Sequence, residues 1–192
     1  MILIIDCGSQ KTPYIEQAVD LQMDFKTIGL KDATAASAEG MLGIIISGAP
    51  ILITEVDPTP YLEQLSWIKT VPIPVFGICF GHQVLGLLHG ATAARQREDR
   101  DWQEIEALEE HPLFAKLPKT FDMLEDHCES ISVPAHFQLL ATSDACVNEA
   151  MYYKDKPFFG VQFHPEVSGN QGTLIIENFV DICRKASSGI AI

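Results

Sequence analysis

Two short stretches carry residue types able to do covalent chemistry. In "FGICFGH" (residues 76–82) a lone cysteine, Cys79, follows an apolar run and has Gly77 and Gly81 two positions to either side. A strand that ends on a nucleophile, turns sharply and becomes a helix is a nucleophile elbow. Such a turn needs small neighbours where backbone meets backbone. It also sets the thiol at a helix N-terminus, where the dipole favours a thiolate and free N–H groups can hold an oxyanion. The competing reading is a structural cysteine, since cysteine is often a small buried hydrophobe. The second stretch, "VQFHPEV" (residues 161–167), supplies a base: His164 at a strand end, stopped by Pro165, with Glu166 placed to orient the imidazole.

The surrounding sequence contains elements able to bring these residues together. Strands are expected at residues 1–6, 24–30, 41–48 and 73–79, with helices at 14–21, 60–69 and 81–90. Continuous apolar runs alternating with amphipathic segments predict doubly buried parallel strands with helices on both faces. The second half is richer in strand-like pieces, at 123–127, 137–143, 145–153 and 157–164, and closes on a helix at 172–185. "RQREDRD" (residues 95–101) reads as a charged exposed loop. No repeat, low-complexity segment or linker interrupts the chain, so residues 1–192 read as one domain.

Composition narrows the function classes. The chain has 192 residues and a formal net charge of −13, which argues against nucleic acid or an anionic membrane as partner. No apolar run is long enough for a membrane helix, and "MILIID" reads as a strand rather than a signal peptide. The five cysteines are scattered without a CxxC pair, so neither a disulfide framework nor a metal site is expected, and a reducing cytoplasm is the simplest setting. His82 reads as structural, and His89, His111 and His136 as surface residues. "DCGSQ" (residues 6–10) has the chemistry of a tight turn, and the acidic "EALEEH" reads as a solvated face.

Taken together, "GICFGHQ" and "GVQFHPEV" resemble the class I glutamine amidotransferase family. Softer matches, "ILIIDCGSQ", "EEHPLFAKLP" and the stretch from "NEAMYY" to "LIIENF", are similar to the glutaminase branch found in GMP synthases. The resemblance implies a three-layer, flavodoxin-like α/β fold, its central sheet mostly parallel with a small antiparallel portion. It implies Cys79 as nucleophile, His164 as base and acid, and Glu166 as orienting carboxylate. The oxyanion hole would use Gly48, Ala49 and Phe80, and Gln83, His127, Cys128 and Glu129 would hold glutamine. The chain departs from the family pattern twice, with "SGAP" (residues 47–50) where "SGGP" is usual and "DHCE" (residues 126–129) where "SHGD" or "SHMD" is usual. Cys128 reads on its own as an incidental small residue.

The implied substrate is L-glutamine, and no cofactor is expected in this chain. No phosphate-binding glycine loop is present, so ATP and magnesium are expected only on a separate ATP-pyrophosphatase synthetase that receives the ammonia. Two alternatives stay open at this point: a glutaminase serving another biosynthetic acceptor, and a weakly active regulatory or binding module of the same fold.

Overall fold

The computed structural model describes residues 1–190. Its strands are β1 (Ile2–Asp6), β2 (Phe25–Gly29), β3 (Gly43–Ile46), β4 (Val75–Ile78), β5 (Ala93–Asp99), β6 (Trp102–Ala107), β7 (Thr120–Leu124), β8 (His127–Ile131), β9 (Phe137–Thr142), β10 (Ala150–Tyr153) and β11 (Phe158–Val161). The helices are α1 (Thr12–Asp20), α2 (Thr59–Leu65), α3 (Phe80–Leu88) and α4 (Gly169–Ser187). One large sheet runs in the order β2-β1-β3-β4-β11-β10-β9-β6-β7, and β5 and β8 form a separate antiparallel pair. The five strands from β2 to β11 are mutually parallel, while the pairings from β11 out to β7 are antiparallel.

The apolar runs build the expected three layers. In β1, Ile2 and Ile4 join the core that contains Ile15 and Val19 of α1 and Ile175, Phe179 and Ile182 of α4. Leu3 and Ile5 point the other way, into a core with Leu65 of α2 and Phe80, Val84 and Leu85 of α3. This period-2 split of an unbroken apolar strand is what burial on both faces requires. No helix among the described residues is long and apolar enough to cross a membrane.

Four expectations need correction. Residues 95–101 are not a loop, because β5 covers most of them, with alternating charged side chains on a mostly exposed ribbon. A ribbon with one partner and little apolar burial leaves no hydrophobic period to read. The single strand expected at 123–127 breaks after Leu124, where the Glu125 N–H donates to the Asp101 carbonyl at 3.0 Å, and resumes as β8. Of the strand expected at 145–153 only β10 forms, because the Ser143 hydroxyl accepts from the N–H groups of Ala145 and Cys146 and makes a turn there. His89 and His111 are half-buried rather than on the surface. They pack on Phe137 and on Tyr152 with ring centroids 5.1 and 4.7 Å apart, while His136 is exposed as expected.

Candidate active site

Three adjacent parallel strands end side by side, and each delivers one part of the site. β3 leads into Ser47, Gly48 and Ala49, β4 into Cys79, and β11 into Gln162 and His164. Open α/β sheets place ligands at such carboxyl ends.

The elbow is built as its glycines require. Cys79 has φ 52° and ψ −107°, a left-handed backbone that side chains rarely adopt, and it caps α3. A Cβ on Gly77 would lie 2.5 Å from the Gly81 carbonyl carbon, and one on Gly81 would lie 2.2 Å from the Ile46 carbonyl oxygen. No side chain fits at either position. The Cys79 N–H donates to the Val161 carbonyl at 2.8 Å, which fastens the elbow to β11.

The candidate base meets it there. The N–H at His164 Nδ1 donates to Glu166 Oε1 at 2.8 Å, and both side chains are buried. A Cβ placed on Gly48 would lie 3.3 Å from His164 Cε1 and 3.7 Å from Cys79 Cβ, so both side chains flank that one glycine. Burial alone would lower the His164 pKa, but the charge and hydrogen bonding of Cys79 and then Glu166 raise it to about 10. Cys79 and Glu166 thus both favour the protonated imidazole.

The remaining candidates line or brace one cleft of about 340 Å³, walled by Ala49, Cys79, Phe80, Gln83, Cys128 and Glu129 among others. The N–H groups of Ala49 and Phe80 have no hydrogen-bond acceptor among the described residues, as an oxyanion site requires. The Ser47 hydroxyl accepts from the Cys7 N–H and donates to the Gly48 carbonyl, both at 2.9 Å, which fixes the 48–49 peptide. Glu129 lines the cleft, but its carboxylate is engaged with the 50–54 loop. Its carboxylate accepts from the Ile53 and Thr54 N–H groups at 2.9 and 2.8 Å and from the Thr54 hydroxyl, so it braces the 50–54 loop. Asp126 at the cleft wall is held by Lys11 at 2.5 Å and lies 3.5 Å from Arg100. Burial opposes ionisation of Asp126, yet its bond to Lys11 keeps the carboxyl below its usual value.

Of the other thiols, Cys7 is pushed up to about 12 by burial, and burial raises Cys146 and Cys183 as well. Cys128 shares the cleft with Cys79. His82 is fully buried in α3, and burial drops its pKa to about 3, in keeping with a structural role.

Comparison with known proteins places this geometry. The family model described as "Glutamine amidotransferase class-I" matches residues 3–183. The chain belongs to the class I glutamine amidotransferases. It is 34% identical over 191 residues to a glutamine-hydrolyzing GMP synthase subunit of Pyrococcus furiosus, covering 95% of this chain and 98% of that protein. Identity to the protein of the same name from Methanococcus aeolicus is 34% over 189 residues, covering 95% and 97%. Among solved structures, a protein provisionally assigned as a GMP synthase subunit from Thermoplasma acidophilum superposes with a TM-score of 0.90 at 27% identity, covering 97% of this chain and 95% of that one.

Within this amidotransferase one residue of the site escaped the sequence reading. Gln162 is fully buried; its Nε2 donates to Cys79 Sγ at 3.6 Å and its Oε1 accepts from Gln83 Nε2 at 3.1 Å. The signal was available, because Gln162 lies two residues before His164, and alternate residues of an extended segment share a face. The meeting of Glu125 with Glu149 was also missed. Burial pushes Glu125 up to about 8, and burial together with the Glu125 charge pushes Glu149 up to about 9. No spacing links two acids so far apart in the chain.

Proposed function

We propose that this chain is the glutamine-hydrolysing subunit of a two-chain GMP synthase. The observation that carries the reading is the elbow cysteine facing a carboxylate-oriented imidazole at the mouth of a small cleft, in a chain that matches GMP synthase subunits nearly end to end. In this reading Cys79 attacks the side-chain amide carbon of glutamine. The N–H groups of Phe80 and Ala49 hold the oxyanion, and His164 gives its proton to departing ammonia. Water then cleaves the γ-glutamyl thioester, with His164 as base, and releases glutamate. Gln83 and the Asp126–Cys128 wall hold the amino-acid end of the substrate, while Glu129 sets the shape of the cleft.

Ammonia then passes to a separate synthetase, where ATP and magnesium act to aminate xanthosine monophosphate. The isolated chain is expected to hydrolyse glutamine weakly and to speed up when that synthetase binds. The test mixes the purified chain with the synthetase from the same organism, xanthosine monophosphate, ATP and magnesium. GMP formation that needs glutamine and this chain supports the reading. A synthetase that makes GMP from ammonium salts but gains nothing from glutamine plus this chain would end it.

A further inference from the structure

Behind the cleft wall three ligand-bearing side chains converge. Glu125 sits in the break between β7 and β8, His127 opens β8, and Glu149 immediately precedes β10. One donor atom from each lies within 4.8 Å of the others, and all three residues are buried. The histidine tautomer follows from its neighbour. His127 Nδ1 is 2.9 Å from the Glu129 carbonyl oxygen, which can only accept, so Nδ1 carries the hydrogen and Nε2 presents a bare lone pair. That lone pair faces Glu125 Oε2 at 3.2 Å, a contact that needs a proton or a cation between the two atoms.

No other side chain satisfies these atoms among the described residues. Both Glu125 oxygens, His127 Nε2 and Glu149 Oε2 have no well-formed hydrogen bond among the described residues. Asp99, opposite His127 in the β5–β8 pair, adds a further buried oxygen, Oδ2, in the same condition. Buried polar atoms without partners are uncommon, and four on three convergent residues call for an occupant.

We propose that Glu125, His127 and Glu149 form a binding site for a divalent first-row metal ion, zinc being the best match. One imidazole nitrogen and two carboxylate oxygens are ligands that zinc accepts, and a doubly charged ion balances two buried carboxylates. Metal–ligand distances of about 2.0–2.2 Å set tetrahedral donors about 3.4 Å apart, so donors now within 4.8 Å of one another close by up to about 1.4 Å on binding. The outer contacts are in place: the Glu129 carbonyl fixes the imidazole, and the Ser143 hydroxyl donates to Glu149 Oε1 at 2.6 Å. The sequence predicts no metal because it lacks a CxxC pair and the ligands lie on separate strands. The ion would join the β8 end of the cleft wall to the large sheet, positioning that wall without touching the reacting atoms.

The test begins with the full chain stripped by chelator, its Cys79 blocked by a glutamine-like diazo-ketone so that thiolate and His164 cannot bind metal. Equilibrium dialysis against zinc is expected to show one equivalent retained and a rise in thermal midpoint. In E125Q and E149Q zinc affinity is expected to fall by more than about tenfold. X-ray absorption of the zinc-loaded wild type is expected to show a shell of nitrogen and oxygen only, a readout that needs no variant to fold. No retained zinc, equal retention in both glutamine variants, or sulfur in the shell would each overturn the site and leave the cluster held by shared protons instead.

Discussion

The parallel half of the large sheet and the separate antiparallel β5–β8 pair do different work with different materials. At the ends of β3, β4 and β11 the chain is fixed by sterics: glycines that admit no Cβ, an elbow in a left-handed conformation, and strands buried on both faces. The wall supplied by β8 and the preceding break is fixed by polar contacts: Lys11 to Asp126, Glu129 to the 50–54 loop, His127 to the Glu129 carbonyl. Reacting groups need positions held to fractions of an ångström, and close-packed backbone gives that. A substrate wall has to match charges and donors, and hydrogen bonds give that. The difference predicts distinct failures in the two regions.

Cys79→Ala is the largest expected effect. Glutamine turnover should fall by at least about ten-thousandfold, while the variant keeps a cooperative unfolding transition. Labelling with a diazo-ketone should disappear with it. Cys128 shares the cleft, so a mass spectrum showing the label on Cys128 in wild type would move the nucleophile to the substrate wall and erase the contrast.

Gly81→Ala should cost roughly 3–5 kcal/mol, because the new methyl meets the backbone oxygen of Ile46 at 2.2 Å. Its counterpart on the exposed β5 ribbon, Arg97→Ala, should stay within about 0.5 kcal/mol. Urea denaturation of the two variants side by side checks this. Equal midpoints would mean that the elbow is not sterically fixed.

Glu129→Gln tests the polar wall. Losing the charge on an acceptor of three hydrogen bonds should loosen the 50–54 loop by about 1.5–3 kcal/mol. The effect should appear mainly as a higher KM for glutamine, with kcat less affected. A fall in kcat at unchanged KM would place Glu129 among the reacting groups instead.

The last contrast is a slope in pH. Burial would lower the His164 pKa, but Cys79 and Glu166 raise it to about 10, above its unfolded value near 6.5. A raised histidine pKa contributes stability that is full below the unfolded value and is lost as pH rises through about 10. Unfolding free energy measured across that window should therefore decline, and the decline should shrink in Cys79→Ala. An identical slope in wild type and variant would separate the imidazole from the sulfur.

How much of this was legible follows the same division. The candidate reacting groups were readable because their signals are local: an elbow declares itself in seven residues, and His-Pro-Glu at the end of an apolar strand in three. The parallel strands were readable as unbroken apolar runs. β5 was not, since an exposed charged ribbon has no hydrophobic period. The part played by Glu129 was hidden because its partners, Ile53 and Thr54, lie far away in sequence. The meeting of Glu125 with Glu149 was hidden for the same reason, since it depends on how β7, β8 and β10 are placed. Gln162 lies between these cases, inside a recognised motif with its alternation unused.

The elbow has a consequence for selection. At φ 52° and ψ −107° glycine would rest in the mirror image of an ordinary extended conformation, whereas the cysteine carries a strain of about 1–3 kcal/mol. A library of this chain sorted for heat resistance alone would be drawn toward glycine at position 79, and its survivors there would be robust and inert. Sorting for growth on glutamine would draw the same position back. The strained cysteine thus marks where persistence of the fold and usefulness to the cell pull in opposite directions.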